Sequence, residues 1–64
     1  MSAPVARIGA GVYEQLGERE TALRWLEAAL RGGHPRGEID RDPWLVALRD
    51  DPRYGRLTAV IPGG

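Results

Sequence analysis

Cysteine and lysine are both missing from this 64-residue chain, and histidine occurs once. Without cysteine there is no disulfide staple and no thiolate chemistry, a composition that fits a reducing compartment. A lone histidine with no cysteine argues against a structural zinc site, so no metal or other cofactor is expected. No apolar run approaches the roughly 18 residues that a membrane span needs. The opening MSAPVARIGAGV has neither the basic start nor the long apolar centre of a secretion signal, so a cytoplasmic protein with no membrane partner is expected. Net charge is missing as well. Nine acidic residues balance nine basic ones, all arginine, which removes the electrostatic case for nucleic acid. The arginine preference, beside abundant alanine and glycine, reads as a composition bias. A chain of this length forms a single domain, residues 1–64. It buries only about 60% of its unfolded surface, so it needs efficient helix packing or help from a partner.

What is present is helical patterning. The stretch VYEQLGERETALRWLEAAL, residues 12–30, reads as the end of one helix, a turn at Leu16-Gly17, and a second helix. Ala22, Leu23, Leu26, Ala29 and Leu30 recur at spacings of three and four, which places them on one face. The small residues Ala22 and Ala29 let a neighbouring backbone approach. Upstream, Pro4 suits a first helical turn. Val5, Ile8, Val12 and Leu16, with Tyr13 beside them, support a helix over about 5–16. Gly9 and Gly11 each cost that helix about 1 kcal/mol relative to alanine. Either another helix packs closely there or the helix needs a partner to complete it; close packing is the preferred reading. Gly-x-Gly does not make a nucleotide loop, because no strand precedes it and no third glycine follows in place.

The second helix is expected over about 18–31. Glu18 and Glu20 sit in its first turn, where negative charge suits the dipole. Glu20 with Arg24, and Glu27 with Arg31, form acid-before-base pairs four residues apart on a solvated surface. Gly32 and Gly33 end it, and Pro35 keeps it from resuming. His34 lies in that turn with no nucleophile or orienting partner nominated, and a capping or loop-surface role is expected. A hydrolase using His34 with Asp40 or Asp42 is the weakest functional reading. Glu38, Asp40 and Asp42 alternate like calcium ligands, but Pro43 and Arg49 stand where such a loop needs glycine and glutamate.

The last third echoes itself. Asp42-Pro43-Trp44 leads to Leu45 and Leu48, and Asp51-Pro52-Arg53-Tyr54 leads to Leu57. Aspartate before proline starts helices, since the carboxylate accepts free backbone N–H groups and proline suits the first turn. Two short helices are expected, about 43–49 and 52–60, with Trp44, Leu45, Leu48, Tyr54, Leu57 and Val60 facing the core. Ligand stacking is the alternative use of the aromatics. The terminal Gly63-Gly64 resembles the tail of ubiquitin-like and sulfur-carrier proteins, which are β-rich, whereas nothing here alternates like strands.

These features together resemble a tetratricopeptide repeat, a helix-turn-helix unit of 34 residues, over about Ala3–Arg36. Tyr13 falls where that family keeps an aromatic late in its first helix, and Gly17 at the turn. Ala22 and Ala29 take the small positions of the second helix, with Leu26 the large one between. Pro35 approximates the closing proline, one place late. The tail DPWLVALRDDPRYGRL is similar to segments that finish such arrays in bacterial proteins. The chain departs from the pattern in the first helix, where Ala6 and Gly9-Ala10 replace a bulky residue and a Leu-Gly pair.

The resemblance implies an all-α fold, one helical hairpin plus two capping helices, and a non-catalytic role in binding a peptide or a partner's helix. By position, Arg7, Gly11, Glu14 and Gln15 would line the receiving surface. Arginine there suits a partner's carboxylate, and Gln15 suits extended backbone. Solenoid arrays generally need about three repeats for stability. A single repeat is therefore expected to be a terminal piece of a longer protein, a self-associating homodimer, or a domain rescued by its tail. The alternative function is a small carrier or regulator acting through Gly63-Gly64.

Overall fold

Two glycines close the helices of the hairpin by the same geometry. The computed structural model describes residues 2–61. Helix α1 spans Ala3–Gln15 and helix α2 spans Arg19–Arg31. After α1, Gly17 takes φ +77°; its N–H donates to the Glu14 carbonyl, and the Glu18 N–H donates to that of Tyr13. After α2, Gly33 takes φ +91°, its N–H donates to Leu30, and the His34 N–H donates to Ala29. Both are Schellman closures, in which a left-handed residue satisfies the orphan carbonyls of the last turn. Glycine is the residue that adopts that conformation without strain.

A short helix α3 (Arg36–Asp40) follows, then a 3₁₀ turn (Pro43–Leu45) continuous with α4 (Val46–Arg49), and finally α5 (Pro52–Val60). The chain is all-α: among the described residues there is no strand. The hairpin and the two tail segments lie where the sequence places them. Helix α3 falls in a stretch for which the sequence predicts no element. It is five residues long, lacks a side-chain cap and contains Gly37, so only Ile39, fully buried, gives it a reason to form.

The expected stripe of α2, Ala22, Leu23, Leu26, Ala29 and Leu30, is buried throughout. Leu26, Ile39, Leu45 and Leu48 are the largest fully buried side chains, and Tyr54 and Ile61 close the same cluster from α5 and its end. Each large aliphatic contributes about 2 kcal/mol of transfer free energy. Two tail residues differ from the expectation. Trp44 is 62% exposed and Val60 is 67% exposed. Leu45 and Leu48, three apart, take the inward face of their segment, as Tyr54 does in α5 and Ile61 just after it, and that leaves Trp44 and Val60 facing outward.

Helix α1 puts its small residues inside. Its buried positions are Ala6 and Ala10, and it packs chiefly on α2. Gly9 serves the same close approach. A Cβ added at Gly9 would lie 2.1 Å from Cε3 of Trp25, so the indole occupies the space a side chain would need. That ring also packs on Tyr13, with centroids 5.6 Å apart. Close packing therefore explains Gly9.

Candidate functional site

Because Ala6 and Ala10 face inward, the larger apolar residues of α1 face out. Val5, Ile8, Val12 and Leu16 are all at least half exposed, with Ile8 at 55% and Leu16 at 67%. On a helix of 3.6 residues per turn they share one side, opposite the alanines. Beside them stands Trp44. Between α1 and the 3₁₀ turn lies an open groove of about 350 Å³, lined by Arg7, Ile8, Gly11, Val12, Gln15, Asp42 and Trp44.

The wall carrying Trp44 is held by Asp42. Its Oδ1 accepts the Trp44 N–H at 2.9 Å, capping the 3₁₀ turn, while Oδ2 pairs with Nη1 of Arg7. Asp42 is buried, so this contact is shielded and fixes the distance between the groove's two walls. From behind, Arg49 Nη1 donates to the carbonyls of Asp42 (2.6 Å) and Ile39 (2.8 Å). Gly11 forms part of the floor; a Cβ there would meet Cβ of Trp44 at 3.9 Å, an ordinary contact.

Of the four candidate residues, Arg7, Gly11 and Gln15 line the groove together. Glu14 points elsewhere. It takes a two-pronged contact from Arg19, Nε to Oε1 at 2.7 Å and Nη2 to Oε2 at 2.6 Å. Arg7 is also committed, to Asp42. The groove residues missed in the sequence are Ile8, Val12, Asp42 and Trp44. Ala3, Ala6 and Ala10 form a second periodic face on α1 that competes with the face of Val5, Ile8 and Val12, and the packing of Ala6 and Ala10 on α2 decides which goes inside.

A second cluster lies at the other end of the tail. Arg19 also donates from Nη1 to Asp51 Oδ2 at 3.0 Å. Asp51 caps α5 by accepting the Arg53 N–H at 2.9 Å, and takes the Arg53 guanidinium as well. The Arg53 hydrogen bonds, with Arg19 adding to them, hold the Asp51 carboxyl well below the usual carboxylate range, and Arg19 is raised in return, most by Glu14. These groups pair with one another and serve the fold.

The other candidate chemistry is dispersed. The His34 side chain is buried, not a loop-surface group; its Nε2 lies 3.4 Å from Glu38 Oε2 without making a hydrogen bond. Asp40 accepts the Tyr54 hydroxyl at 2.9 Å, and Asp42 holds Arg7, so neither aspartate is paired with His34. Burial first, and then Asp40, raises the Tyr54 pKa above its ordinary value. Among the described residues no cluster of three metal-ligating side chains occurs, and no helix is long and apolar enough to cross a membrane. Gly63 and Gly64 lie outside the described residues. No protein-family model matches the chain, and no curated protein or solved structure matches it either.

Proposed function

We propose that this chain is a non-catalytic protein-interaction module, a tetratricopeptide-like hairpin with a capping tail, of the kind found in bacterial cytoplasmic proteins. It receives a peptide, a partner's helix, further repeats or a second copy on the outer side of α1. One observation carries the reading. Helix α1 turns alanine to the core and Val5, Ile8, Val12 and Leu16 to solvent, beside a groove walled by Trp44. Large apolar side chains gathered on one exposed face support a docking surface, since such patches are often functional. Arg7 and Asp42 hold the groove open without leaving a charge unpaired.

The test is affinity capture from cells that express two differently tagged copies of the chain, comparing the native sequence with Ile8→Glu. Ile8 is exposed, so the charge leaves folding intact while spoiling an apolar contact. A protein, or the second copy, held by the native chain and lost from Ile8→Glu supports the reading. Identical capture by both overturns it.

A further inference from the structure

We infer that the occupant of the outer face of α1 is the same face of a second copy, giving a two-fold dimer with the two α1 helices antiparallel. This rests on the reading of that face as a docking surface and names its partner. The pattern itself is close to palindromic. Val5, Ile8, Val12 and Leu16 are separated by three, four and four residues, and reversing the helix direction gives nearly the same spacing. An antiparallel crossing centred between Ile8 and Val12 sets Ile8 of one copy beside Val12 of the other, and each Leu16 near the other copy's Val5. A two-fold interface requires such self-complementarity, because one patch must fit its own image.

Charge points the same way. The two charged side chains of α1 are Arg7 and Glu14, and both are paired inside the chain, with Asp42 and Arg19. The face asks for no ion of either sign, and two copies bring no repulsion to each other. An extended peptide would need a row of backbone hydrogen-bond partners; the groove offers the amide of Gln15 and little else. A helix keeps its backbone bonds to itself and suits an apolar stripe. The exposed parts of Val5, Ile8, Val12, Leu16 and Trp44 amount to roughly 500 Å² of apolar surface per chain. Complete cover of these side chains in two copies would remove about 1,000 Å², the size at which small, reversible associations begin.

Sedimentation equilibrium of the purified full chain tests this. At tens of micromolar the native chain is expected at twice its 7.0 kDa mass, and Ile8→Glu at the single-chain mass, with the dissociation constant raised at least about tenfold. A native chain that stays monomeric into the high micromolar range overturns the dimer. So does a dimer that Ile8→Glu and Val12→Glu leave unchanged. Since the sequence contains no cysteine, oxidative cross-linking gives a second readout that does not depend on a charged variant. Mixed Ile8→Cys and Val12→Cys chains should form the mixed disulfide at least tenfold faster than Arg56→Cys chains link through α5; equal rates overturn the antiparallel crossing. A monomer here, combined with stripe-dependent capture of a different protein in the two-tag experiment, removes the second copy as partner and leaves the module reading in place.

Discussion

Asp51 repeats, nine residues along the chain, the double contact that Asp42 makes. In both, Oδ1 accepts the N–H two residues on and caps a short helix, while Oδ2 takes an arginine from the hairpin. Asp42 takes Arg7 of α1, and Asp51 takes Arg19 of α2. The Asp-Pro echo is therefore a pair of fasteners. Each starts a helical turn and ties it to the hairpin with the same carboxylate. Such doubling matters in a domain whose total stability is on the order of 5 kcal/mol.

The Asp51 fastener has a pH signature. Its carboxyl is held below the usual range, so the folded chain binds that proton less readily than the unfolded chain does. The stability it contributes is complete above the ordinary carboxylate value of about 4 and drains away as pH falls from there through the folded value. Asp51→Asn should be less stable than the native chain at neutral pH and should lose less on acidification. Urea melts at several pH values between neutrality and about 2 measure the difference between the two chains. Parallel curves would contradict the assignment.

Alanine at two helical glycines should act in opposite directions. Gly55 in α5 has nothing within 4 Å of an added Cβ, so Gly55→Ala gains helix propensity, about 0.5–1 kcal/mol. Gly9→Ala makes the same local gain but drives a methyl into Trp25, and overpacking of that kind costs about 1–3 kcal/mol. Gly9→Ala should therefore be net destabilising, and a red shift of tryptophan emission should accompany it as the ring is displaced. Stabilisation by both substitutions would show that the indole swings aside freely.

Two leucines separate core from surface. Leu26 is fully buried, and Leu26→Ala should cost about 3 kcal/mol, more than half the stability of the domain. Leu16 is 67% exposed at the end of α1, and Leu16→Ala in dilute solution should stay within about 0.5 kcal/mol of the native chain. Thermal melts at low micromolar concentration make the comparison. Equal losses would mean that the outer face is already packed.

Residues with a strong local signal could be read from the sequence. Gly17 and Gly33, the stripe of α2, and the two Asp-Pro starts each carry their own geometry, and the all-α hairpin with tail helices followed from them. Helix α3 had no such signal, because it forms only where Ile39 finds a cavity to fill. Trp44 was misplaced for a related reason. At the first turn of a short segment either Trp44 or Leu45 can face inward, and the smaller leucine fits. The candidate groove was legible in part. Arg7, Gly11 and Gln15 share it, but Ile8 and Val12 read equally well as core until the packing of Ala6 and Ala10 on α2 decides which side of α1 is inside. The pairing of Arg7 with Asp42 spans 35 positions, and no local pattern announces it.

The most direct measurement of the central claim, that the outward stripe of α1 pairs with the same stripe of a second copy, is an amide-correlation NMR dilution series of the native chain from high to low micromolar concentration. The amides of residues 5–16 and the Trp44 indole should shift together as the complex dissociates, while those of α5 stay fixed, and the series should go flat in Ile8→Glu. Superimposable spectra at every concentration, or shifts confined to α5, would contradict it.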